Sequence, residues 1–113
     1  MRQGRDGRLL IIETSVFTRQ IQHELDDESY RLLQAELVSN PEGGAIIRST
    51  GGLRKIRWAR SGRGKSGGTR VIYYWHKPED SLLMLLAYSK RGQEDLTPRQ
   101  RKALRLIVEE ELT

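Results

Sequence analysis

The sequence predicts a single α+β domain, with helices packed on a mostly antiparallel sheet in the order β-α-α-β-β-β-α. Three features of the 113 residues lead there. Two stretches in the first third repeat apolar residues at helical spacing. Three successive stretches between residues 53 and 88 show the alternation or the short apolar runs of strands. A last amphipathic stretch opens on the helix-start signal Thr97-Pro98.

Each element has its own reason. Leu9-Leu10-Ile11-Ile12 is a short apolar run with two β-branched residues, expected to be a strand buried on both faces and central in its sheet. Thr14 or Ser15 can cap a helix reaching about Leu25, with Val16, Phe17 and Ile21 on its apolar side. Asp26 or Asp27 caps the next helix, which carries Tyr30, Leu33, Leu37 and Val38 as a stripe. It ends at Asn40-Pro41, because proline disfavours helical geometry in the residue before it and lacks a donor N–H. From Leu53 to Arg60, the two-residue period sends Ile56 and Trp58 one way and Lys55, Arg57 and Ala59 the other. From Arg70 to His76, Val71, Tyr73 and Trp75 oppose Arg70, Ile72 and Tyr74. Leu82 to Tyr88 is apolar almost throughout, as befits an interior strand. In the final helix Thr97 is the N-cap, Pro98 the first helical residue and Gln100 the partner in a capping box. Leu104, Ile107, Val108 and Leu112 form its docking face.

Charge is distributed unevenly along this frame. Gly43–Lys77 holds nine Lys or Arg, eight of the eleven glycines and no Asp or Glu. The chain as a whole carries +5, so the remainder sums to −4. A local cationic patch of this kind favours a polyanionic partner, nucleic acid ahead of a membrane surface. The absence of cysteine excludes disulfides, thiolate metal sites and thiol catalysis. A carboxylate-free window disfavours a two-metal nuclease centre, and no cofactor is implied. Met1–Arg8 is charged and glycine-containing, and Leu82–Leu86 is far too short to span a bilayer, so no membrane partner and a cytoplasmic location are expected. Ser61–Thr69 contains Gly-Lys-Ser, yet the phosphate-loop pattern needs a glycine where Ala59 stands.

Several segments together resemble the RelE superfamily, and within it the HigB-type toxins of bacterial toxin–antitoxin modules. They are Gly51-Gly52-Leu53-Arg54-Lys55-Ile56-Arg57, the glycine/basic loop after it, Arg70-Val71-Ile72-Tyr73-Tyr74 and Tyr88-Ser89-Lys90. The resemblance extends from about Ile12 to the final helix and includes Leu32–Leu37 with Asn40-Pro41. It implies a RelE-like fold and a small ribonuclease that cuts messenger RNA on the ribosome. It also implies neutralisation by a cognate antitoxin, a helix-turn-helix protein of HigA type. Residues matching the family's catalytic positions are Lys55, Arg57, Arg70 and Lys90, with Arg91 beside them. Where some RelE proteins carry a tyrosine near the start of the C-terminal segment, this chain offers Thr97, and Tyr74 or Tyr88 are the substitutes.

Metal-free RNA cleavage uses the substrate's 2′-hydroxyl as nucleophile, and needs a base, cations around the phosphorus and an acid for the leaving oxygen. Lys55, Arg57 and Arg70 on neighbouring strands can converge on one phosphate, and a lysine among arginines has its neutral form favoured. The bland alternative is a solvated basic face. Arg54, Arg60, Arg63, Lys65 and Arg91 are expected to grip the RNA backbone, with Tyr74 and Tyr88 available to stack on bases. Trp58, Tyr73 and Trp75 share the apolar phase and belong to the core. His23 is expected to be structural or exposed, and Glu94 and Asp95 to be surface ion-pair partners. Two rival functions remain open on the residues alone: a ParE-like gyrase inhibitor and a non-catalytic RNA-binding module.

Overall fold

The computed structural model describes residues 2–6, 9–59, 68–89 and 95–112. The elements are β1 (Arg2–Asp6), β2 (Leu9–Glu13), α1 (Ser15–Glu24), α2 (Asp27–Ser39), β3 (Ala45–Ile46), β4 (Leu53–Trp58), β5 (Thr69–His76), a 3-10 turn (Lys77–Glu79), β6 (Ser81–Ser89) and α3 (Pro98–Leu112). The strands form one sheet in the order β1-β2-β6-β5-β4-β3. All neighbours are antiparallel except β2 and β6, which run parallel. The α+β class holds, with the predicted helices and the four predicted strands in their predicted order.

Both faces of the sheet are covered. Phe17, Ile21 and Leu25 from α1 and its C-cap pack with Leu33 and Leu37 of α2 against Leu9, Ile11, Val71, Tyr73, Leu82 and Met84. On the other face, Leu96, Leu104 and Val108 cover Leu53, Ile72, Leu83 and Leu85. Strand phase produces this division: the Val71/Tyr73 side of β5 meets α1 and α2, and the Ile72/Tyr74 side meets α3.

Local signals act as expected. Thr14 Oγ1 accepts from Phe17 N at 3.0 Å, and Asp26 Oδ1 from Ser29 N at 2.7 Å, so both helices open on side-chain caps. At α3 the capping box is reciprocal: Thr97 N donates to Gln100 Oε1 at 2.9 Å, and Gln100 N to Thr97 Oγ1 at 3.1 Å.

Four expectations need correction. Two further strands lie at the sheet edges, β1 and the two-residue β3. Arg-Gln-Gly-Arg-Asp has no apolar residue to give a period, and ladder pairing through the backbone does not need one. Strand β2 is second from the edge, and only Leu9, Ile11 and Glu13 are fully buried. Val16 is 42 % exposed, because Phe17 and Ile21, four apart, set the buried side of α1. Strand β4 ends at Trp58 rather than reaching Arg60, which lies outside the described residues.

The turn leading into β4 explains one glycine pair. Gly51 and Gly52 have φ of 75° and 113°, a region costly for other residues. Gly44 is required for a different reason: a Cβ there would lie 2.8 Å from Tyr73 Cε1 and 2.9 Å from its hydroxyl. That hydroxyl accepts from Gly44 N at 2.9 Å and donates to Pro41 O at 2.7 Å. Burial pushes the Tyr73 phenol up, and the Gly44 N–H opposes that shift.

Candidate nucleic-acid interface

The cationic side chains of β4 and β5 meet through strand register. Arg57 pairs with Arg70, and Arg70 pairs with Tyr88, so the three form a row across β4, β5 and β6 on the α3 side of the sheet. Lys55 is two residues along β4, on the same face and about 7 Å away at the usual rise per residue. The row lies where β4 and β6 end and β5 begins.

Exposure separates the members of this row. Arg57 is exposed and Tyr88 half-buried. Arg70 is only 1 % exposed, and its Nη1 donates to Gly68 O at 2.7 Å, so in this state the guanidinium braces the backbone at the head of β5. Lys55 donates from Nζ to Asp95 Oδ1 at 2.8 Å, and its side chain is 19 % exposed against 68 % for Asp95. The hydrogen bond from Lys55 holds the Asp95 carboxyl below the usual aspartate range, aided by the charges of Lys55, Arg101 and Arg57. Among the described residues Lys55 is thus bonded to a carboxylate, where the sequence suggested neighbouring arginines. Asp95 was readable only as a surface partner. Arg101 carried no individual signal, because its place near the site depends on how α3 docks.

The other candidates fall elsewhere. Arg54 lies on the opposite face of β4, where Nη1 donates to the carbonyls of Gly44 at 2.8 Å and Glu42 at 3.0 Å. Tyr74 shares the face of Arg70 but stands four residues along β5, about 13 Å away. It pairs with Leu53 and Leu83 and stacks on His76, with ring centroids 6.3 Å apart. His23 is exposed in the last turn of α1. Trp58, Tyr73 and Trp75 join the core beside α1 and α2, as strand phase indicated. Arg60, Arg63, Lys65, Lys90, Arg91 and Glu94 lie outside the described residues.

Similarity to known proteins agrees with this frame. The solved structure of the isolated Escherichia coli RelE toxin superposes with a TM-score of 0.53 at 15% identity, covering 86% of this chain and 96% of that one. The toxin in the intact E. coli RelBE toxin–antitoxin complex gives 0.53 at 14% identity, over 76% and 96%. A double arginine mutant of E. coli RelE in the free state gives 0.53 at 14%, over 73% and 83%. At such identities these likenesses establish the fold. Residues 10–112 match the family described as the RelE toxin of the RelE/RelB toxin–antitoxin system, and the chain belongs to that family of toxins, whose partner is an antitoxin.

Proposed function

We propose that this toxin is a ribosome-dependent endoribonuclease of HigB type that cleaves messenger RNA without a metal ion. The observation that carries this reading is the row Arg57–Arg70–Tyr88 with Lys55 one step away, which gathers cations and a phenol on one rigid face. In the reaction the 2′-hydroxyl of the substrate attacks the adjacent phosphorus and loses its proton to a base. The bond from phosphorus to the 5′-oxygen breaks, and that oxygen takes a proton as it leaves. Lys55 and Arg57 supply positive charge to the crowded phosphate, and Tyr88 is the hydroxyl within the row for proton transfer. Arg70 orders the head of β5 and contributes charge from beneath. The partner is then a HigA-like helix-turn-helix antitoxin.

Inducible expression followed by mapping of transcript 5′ ends tests the reading. Codon-linked cuts are expected, and Arg57→Ala should reduce them about 10²-fold, the scale of losing one charge-stabilising donor. Unaffected growth with no such cuts defeats the proposal, and inhibition in a gyrase supercoiling assay instead would indicate ParE-like poisoning.

A further inference from the structure

A groove of about 500 Å³ runs between α3 and the turn before β4, lined by Ser49, Arg101, Lys102, Arg105, Leu106 and Glu109 among others. That volume is within the range of about 300–1,000 Å³ typical of ligand clefts. Its charge is cationic. Glu109 is engaged with Arg105 Nε at 3.5 Å, and Lys102 makes no ion pair among the described residues. Arg101 Nε is buried and makes no hydrogen bond among the described residues.

The groove begins beside the site on the sheet: Asp95, the carboxylate bonded to Lys55, stands two residues before Thr97, whose carbonyl accepts from Arg101 N at 3.0 Å. The first turn of α3 thus joins the groove to the Lys55 cluster. We infer that the groove along α3 is a second binding site that takes the phosphodiester backbone of single-stranded RNA where it continues beyond the scissile phosphate. Arg101 and Lys102 are its principal contacts, and Arg105 is recruited from Glu109. A chain lying on Lys55 and Arg57 carries a negative charge at every nucleotide, so the next phosphates need cations along whichever path leaves the site. The groove supplies them in continuity with Lys55. Leu106, 53 % exposed, offers an apolar surface to a ribose or base edge. This assignment rests on the ribonuclease reading above.

The test uses the whole chain and a labelled single-stranded RNA oligonucleotide with 2′-O-methyl groups, which cannot be cut through the 2′-hydroxyl. Binding is followed by fluorescence anisotropy across a salt series. Arg101→Gln and Lys102→Gln should each weaken affinity about three- to tenfold and lower the salt slope by roughly 0.7, the value for one phosphate contact on a single strand. Arg99→Gln makes the same charge change on α3 outside the groove and should alter affinity less than twofold. Lys102 is exposed, so its variant keeps the fold, and a thermal melt verifies both. Equal losses from Arg99→Gln, wild-type affinity in both groove variants, or no measurable binding by the wild type each overturn the assignment. An acidic peptide as the true occupant would appear as unchanged RNA binding in the groove variants. If the wild type cuts transcripts on ribosomes while the groove variants bind RNA normally, the groove assignment alone fails. If it makes no cuts, the ribonuclease reading fails.

Discussion

Arg70 and Arg57 face each other across two strands, yet they answer different experiments. Arg70 is buried, and truncating a large buried side chain costs about 2–5 kcal/mol. Arg70→Ala should therefore lower the thermal midpoint clearly, and any loss of toxicity would mix lost chemistry with lost fold. Arg57→Ala is a surface change expected to move stability by no more than about 0.5 kcal/mol, so differential scanning of the pair separates the two roles. The sequence showed both arginines in the outward phase of their strands. It could not show that packing closes over one and leaves the other open. Asp95 provides a second residue-scale test. Its carboxyl is held low by Lys55, so the pair's contribution is present above the ordinary value of about 3.9 and is lost as pH falls through the depressed one. Carboxyl-detected NMR should give a midpoint below that value in the wild type, and Lys55→Gln should return it upward.

Element-scale features were the most legible, because caps and periodicity act within a few residues. Thr97 and Gln100 bond each other's backbone as their spacing required, and Thr97→Ala should cost about 1 kcal/mol in a urea melt. The bridge made by Tyr73 was not legible. Strand phase assigned its ring to the core, but the hydroxyl's partners, Gly44 and Pro41, come from a loop some thirty residues away. Tyr73→Phe leaves those backbone groups without their partner, an expected loss of about 1–3 kcal/mol by chemical denaturation. Gly44→Ala should be at least as damaging, since the added methyl meets the same ring. Strand β1 marks the limit at this scale, as a polar segment with no apolar period leaves no pattern to read.

At the scale of the molecule, the sheet order places β5 and β6 in the middle and β1 and β3 at the edges. Hydrogen exchange should follow that order, slowest for Ile72 and Leu83 and fastest for Gly4 and Ile46, because central ladders open only with the whole domain. Uniform protection across the sheet would contradict the topology. The same order explains the site. A basic window of nine cations raised the expectation of a polyanionic partner, and strand phase alone separated Lys55, Arg57 and Arg70 from the core-facing aromatic residues. The sequence by itself thus determined the class of fold, the helices and their caps, the core faces and the position of the basic window. These depend on spacing, local hydrogen bonds and counted charges. The tertiary structure alone decided that Tyr88 rather than Tyr74 stands beside Arg70, that Arg54 bonds the carbonyls of Glu42 and Gly44, and that Asp95 joins Lys55. Those outcomes rest on register between strands and on the docking of α3, where residues ten or more positions apart meet through geometry that no local pattern encodes.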